Sequence, residues 1–159
     1  MATVMLSPHF SLAEATTSDT AARQGIDNTP PQRTVLTMQL AAQKLEEVRA
    51  LLGVPMHINS WFRCPQLNTA VGSSSTSQHP LGEAIDFIAP QFGEPLEICR
   101  AIIAAKDRIQ FDQLILEHTW VHISFSILHG APKYQVLSLL SSGHYASGLT
   151  NKDGVPYEP

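Results

Sequence analysis

Two short stretches alternate at a period of two, and that alternation constrains the architecture more than any other feature of the chain. In Ala84-Ile85-Asp86-Phe87-Ile88, residues Ala84, Asp86 and Ile88 fall on one strand face, with Ile85 and Phe87 on the other. In Trp120-Val121-His122-Ile123-Ser124-Phe125, Trp120, His122 and Ser124 share a face, while Val121, Ile123 and Phe125 lie opposite. Each stretch reads as a strand with a packed apolar side and a polar working side.

Helical signals come earlier in the chain. Ser11-Leu12-Ala13-Glu14 fits a capping box that opens a short helix. A second short helix is predicted from Asp19 to Gln24, stopped by Gly25, before Pro30-Pro31 breaks the chain. The longest helix is predicted from about Thr34 to Leu52, with Met38, Ala41, Leu45, Val48 and Leu52 on one core-facing stripe and Gly53 as its stop. His57 to Trp61 alternates like a strand, and Pro65 to Val71 reads as a helical turn. Glu94-Pro95 opens a helix to about Lys106, with proline in the first turn. Gln113 to Glu117 is a further strand, and Tyr134 to Leu139 is a candidate for the last one. Beyond Ser142 the glycines and prolines predict poorly ordered chain. Helices first, then strands mixed with helices, predict an α+β domain with a small antiparallel sheet and flanking helices. The expected organisation is one domain over 1–159, with a core of about 9–145 and a tail after about 146.

Composition excludes several classes. The formal charge of -4, from 10 basic and 14 acidic residues, forms no basic stripe and argues against a nucleic-acid partner. No apolar run is long enough to cross a membrane. The opening Met-Ala-Thr-Val-Met-Leu-Ser-Pro-His lacks the basic, apolar and cleavage regions of a secretory signal, so synthesis in the cytoplasm is expected. Cys64 and Cys99 belong to no CxxC pair and read as half-buried reduced thiols.

The chemistry gathers on His79, Asp86 and His122. Two imidazoles and a carboxylate make a three-ligand zinc set, and three protein ligands leave a fourth position for water. For any one of these residues alone, a structural role would be the better reading. Together, in Ser77-x-His79-x-x-Gly82-x-Ala84-x-Asp86 followed by Trp120-x-His122, one zinc per chain and a hydrolase are expected. Such zinc brings the pKa of a water to about 7. Serine-rich 72–77 reads as an active-site loop. If His118-Thr119 is a two-residue hairpin loop, Glu117 pairs with Trp120 and Ile115 with His122. Glu117 then becomes a diagonal neighbour of His122, roughly 7–8 Å away at Cα. That makes Glu117 the expected general base, with His118 its rival. One reservation is that His-Thr suits a type I′ turn poorly. Arg63 is the expected carbonyl-polarising cation, and Ser77 and Trp120 join it as substrate contacts.

These residues, with Ser60-x-x-Arg63 and Leu67-Asn68-x-x-Val71-Gly72, resemble the zinc D-alanyl-D-alanine carboxypeptidase family, which shares its fold with the hedgehog signalling domain. Phe10-Ser11-Leu12-x-Glu14, Ser18-x-Thr20-Ala21 and Ile26-Asp27-Asn28 look like the phage and prophage endolysin branch. The likeness covers roughly His9 to Tyr145. It implies His79, Asp86 and His122 as zinc ligands, Arg63 on the scissile carbonyl and Ser77 on the substrate. It also implies peptidoglycan stem peptides cut at D,D or L,D amide bonds. The family commonly places its acidic base three residues before the last histidine, where this chain has Thr119. A monomeric phage or prophage lysis enzyme acting at the cell wall is therefore expected, released by a membrane-disrupting helper or packaged in a virion. A non-catalytic zinc module for wall binding or virion structure is the alternative. A resident enzyme cleaving free D-alanyl dipeptides is a third reading.

Overall fold

The structure is a computed structural model that describes residues 2–159. Its first two helices begin at side-chain caps. Helix α1 (Leu12–Thr16) is opened by a reciprocal capping box: the Glu14 N–H donates to Ser11 Oγ at 3.1 Å, and the Ser11 N–H donates to Glu14 Oε2 at 2.9 Å. Helix α2 (Asp19–Gln24) ends on Gly25 at φ 65°. Helix α3 (Gln32–Leu52) starts two residues earlier than expected and buries Met38, Ala41, Leu45, Val48 and Leu52. Helix α4 (Pro65–Ala70) follows the Cys64 cap, and α5 (Pro95–Ala104) buries Ile98, Cys99 and Ile102. Burial pushes the Cys99 thiol up to about 12, so it stays protonated and inert.

The main sheet has six strands: β3 (His57–Ser60), β4 (Ala84–Ile88), β5 (Gln113–Leu116), β6 (Val121–Ser124), β7 (Gln135–Leu139) and β8 (Tyr145–Ser147). Their order is β3-β4-β6-β5-β7-β8. A separate hairpin, β1 (Met5–Ser7) with β2 (Phe10–Ser11), precedes α1 and was not expected. On the main sheet Ile85, Phe87, Leu114, Leu116, Val121 and Ile123 join the core with α3 and α5. The other face stays open, as the alternation requires.

Two expectations need correction. The sheet is mixed, because β5 and β7 run parallel while the other neighbours run antiparallel. After β6 the chain passes round the start of β5, where the Tyr134 and Gln135 N–H groups donate to Phe111 and Asp112 carbonyls, and it re-enters in the direction of β5. Period-two alternation is the same in parallel and antiparallel strands, so it could not reveal this. The chain beyond Ser142 is also built into the fold: β8 pairs with β7, and Thr150 bridges Pro156. The buried Ser138 hydroxyl fastens this segment, donating to the Gly148 carbonyl at 2.8 Å and accepting from the Thr150 N–H at 2.9 Å.

Gly82 links the core to the polar face. It sits at φ 78°, and a Cβ there would lie 2.6 Å from Met38 Cγ and 3.2 Å from Thr34 Cγ2. Its carbonyl accepts from the buried Trp61 indole N–H at 2.8 Å. Gly82→Ala should therefore destabilise the protein by about 2–4 kcal/mol, combining left-handed strain with overpacking. A denaturant midpoint unchanged from the parent would contradict this packing.

Candidate metal centre

A straight row of cross-strand partners carries the site: Ser60 opposite Asp86, Asp86 opposite His122, and His122 opposite Ile115. His79 approaches from a 3-10 turn (His79–Leu81) that Gly82 closes. Its backbone N–H donates to Ser77 Oγ at 3.2 Å, so Ser77 caps the loop as well as lining the groove.

His79 Nδ1 lies 2.6 Å from the Trp61 carbonyl. A carbonyl only accepts, so Nδ1 carries the hydrogen and Nε2 keeps its lone pair. That lone pair faces Asp86 Oδ2 at 3.3 Å. Asp86 Oδ2 also accepts from Arg63 at 3.1 Å, and Asp86 Oδ1 lies 2.8 Å from His122 Nδ1. The donor atoms of His79, Asp86 and His122 all lie within 4.8 Å of one another, and all three residues could hold one ion.

The electrostatics favour a cation between them. Burial lowers the His79 pKa, and the pull of Asp86 does not offset it. Burial alone would raise Asp86, but the neighbouring His79 and His122 imidazoles hold its carboxyl well below the usual range. A proton on His79 Nε2 is thus resisted by burial, while the ionised Asp86 oxygen opposite demands positive charge. A divalent ion meets both conditions. The donor set is therefore a chemical fit for zinc.

Arg63 is held by two bonds, from Nε to Ser60 Oγ at 3.0 Å and to Asp86. Burial lowers its pKa against the opposing pull of Asp86 and Glu117, yet a guanidinium keeps its charge. The turn that carries Arg63 is fixed by Asn28, whose amide donates to the Thr16 and Phe62 carbonyls and whose oxygen accepts from the Cys64 N–H.

Glu117 is 7% exposed, just past the end of β5. The expected hairpin register is present: Ile115 pairs with His122, and the Glu117 N–H donates to the Trp120 carbonyl at 3.2 Å. Neither His118 nor Thr119 has positive φ, so the turn is not type I′. Glu117 therefore shares the face of His122 and lines a groove of 890 Å³ with Arg63, Ser77, Asp86, Trp120 and His122. Burial first, then Asp86, raises its pKa against the opposing charge of His122. His118 is exposed at the turn and lines a separate hollow with Glu94 and Lys152. The structure does not bring it to the metal groove.

One hydrogen-bond network beside the site had no signature in the sequence. The Gln78 amide donates to Glu83 Oε2 at 2.9 Å and to Asp112 Oδ2 at 3.2 Å. Glu83 Oε1 and Asp112 Oδ1 in turn accept from the Leu128 and Lys133 N–H groups. These buried carboxylates tie the His79 turn to the loop before β7. Only the position of Gln78, directly before His79, could have hinted at it.

Asp86 and His122 on the open face of the sheet, His79 on its 3-10 turn and the buried Glu117 beside them form a candidate metallopeptidase site. The chain belongs to the peptidase M15 family, whose model, described as Peptidase M15, matches residues 8–124. Members of that family are zinc peptidases. No curated protein matches the chain. Among the described residues, no helix is long and apolar enough to cross a membrane.

Proposed function

We propose that the protein is a zinc peptidase that hydrolyses D,D or L,D amide bonds in the peptide stem of bacterial peptidoglycan, as a phage or prophage lysis enzyme. The convergence of the His79, Asp86 and His122 donor atoms within 4.8 Å carries this reading. Those three residues would hold one zinc ion. Zinc, when bound, would polarise the attacking water and the scissile carbonyl.

The remaining work falls to the protein's own side chains. Glu117 accepts the proton of the attacking water and passes it to the leaving amine, a role its raised pKa suits because a base that binds its proton more firmly is the better acceptor. Arg63 spends only part of its five-donor fork on Ser60 and Asp86, and the rest serves the carbonyl oxygen as negative charge develops there. Ser77 and Trp120, which line the same groove, contact the substrate. The enzyme acts at the cell wall as a monomer, reaching it with a membrane-disrupting helper or within a virion.

Purified protein loaded with zinc should release peptides from peptidoglycan, lose that activity to a chelator and recover it with added zinc. Full activity after complete metal removal would overturn the metal assignment. Zinc binding without any peptide release would instead favour a non-catalytic wall-binding module. Intact sacculi compared with free D-alanyl dipeptide as substrates separate a lysis enzyme from a dipeptidase.

A further inference from the structure

The matched family region ends at residue 124, yet the metal groove does not. Strands β7 and β8 extend its floor, and Leu137, Leu139 and Tyr145 line it. In the parallel pairing Leu116 lies beside Ser138, which sets the next residues, Glu117 and Leu139, side by side. Leu139 in turn pairs with Tyr145. Glu117, Leu139 and Tyr145 thus form a row across neighbouring strands, in which Tyr145 starts two strand spacings, about 10 Å, from Glu117. Its phenol reaches back over Leu139, and the hydroxyl lies 3.5 Å from Glu117 Oε1.

We propose that Tyr145 is a positioning residue for the base: its hydroxyl donates to Glu117 Oε1, holding the carboxylate so that Oε2 is left for the attacking water. This rests on the reading of Glu117 as the base. A buried carboxylate with no partner would be free to turn within the groove. Among the described residues, Tyr145 is the only one whose side chain hydrogen-bonds to Glu117. The contact is long for a hydroxyl donor, as such contacts often are before substrate binds. The support behind it is firm. The buried Ser138 hydroxyl binds both the Gly148 carbonyl and the Thr150 N–H, so β8 is anchored on the side that follows Tyr145.

Zinc-loaded parent, Tyr145→Phe, Glu117→Gln and the double variant should be compared for kcat and KM on a peptidoglycan-derived stem peptide. Zinc content and melting temperature should be measured on the same samples. Tyr145→Phe keeps the ring and removes only the donor. It should lower kcat about 10-fold with KM little changed. Zinc content should match the parent, and the variant should cost nothing further when Glu117 is already glutamine. A structural role would instead move melting temperature, or add to the Glu117→Gln loss. If Glu117→Gln abolishes turnover while Tyr145→Phe leaves kcat intact, the proposal falls and the Glu117 reading stands. If Glu117→Gln leaves turnover intact, the reading falls and the proposal with it. A crystal structure of the zinc-loaded protein gives an independent readout: the Tyr145–Glu117 contact should shorten to about 2.7–3.0 Å. A phenol turned out to solvent overturns the proposal.

Discussion

Glu117→Gln should lower kcat by roughly 10²–10⁴-fold, the usual contribution of a positioned acid–base group, while the protein keeps its full zinc complement. The substitution preserves shape and removes only the ionisation, so packing around this buried side chain should survive. The pH dependence supplies a second check on the same residue. A base works when deprotonated, and the Glu117 pKa is raised above the ordinary 4.5 by burial and by Asp86. In the metal-free protein the Glu117 carboxylate should therefore take up its proton, as pH is lowered, at a higher pH than an ordinary glutamate, a step that carboxylate NMR titration reads directly. Zinc, adding positive charge beside it, should move that step to lower pH. An undiminished kcat in Glu117→Gln would remove Glu117 from the mechanism.

Asp86→Ala should have the larger effect on the metal. It deletes the one donor residue that contacts both histidines, and zinc affinity should fall by more than the ~100-fold that loss of an outer-shell partner costs. Competition with a chromophoric chelator measures this directly. Unchanged affinity at one ion per chain would show that the ion binds elsewhere. Stability should also fall in the metal-free protein. The Arg63 and Asp86 side chains are only 15% and 9% exposed, so solvent screens their pair weakly. An orphaned guanidinium there costs about 3–5 kcal/mol. The sign with pH follows from the depressed folded pKa of Asp86. Its stabilisation is complete above the ordinary aspartate value of 3.8 and is lost as pH falls towards the folded value. Thermal melts of parent and variant should thus differ most near neutrality and converge in acid.

How much of this was legible in the chain depends on the range of the interaction. The capping box at Ser11 and Glu14, the Gly25 and Gly53 stops and the α3 stripe are local, and each appears where the residues put it. The two ligand strands were equally legible, because alternation fixes which side chains share a face before any partner strand is known. Even the place of Glu117 followed from one turn length, since a two-residue loop sets register for the whole hairpin. His118 stands one step further along, exposed in the turn and outside the lining of the metal groove.

What lay beyond reach was pairing between distant segments. The parallel match of β5 with β7 depends on the route of the loop between β6 and β7, which leaves no periodic trace. The segment after Ser142 looks loose in composition, yet Ser138 and Gly148 bind it into the sheet. Gln78, Glu83 and Asp112 look like ordinary surface polar residues until the fold buries the two carboxylates and brings the Gln78 amide to both. Residue order alone thus determined the candidate ligand set, the strands that carry Asp86 and His122 and the face they occupy, because those follow from backbone geometry over a few residues. Only the tertiary structure decided how far the groove extends and that Tyr145 meets Glu117, because those depend on which strands become neighbours.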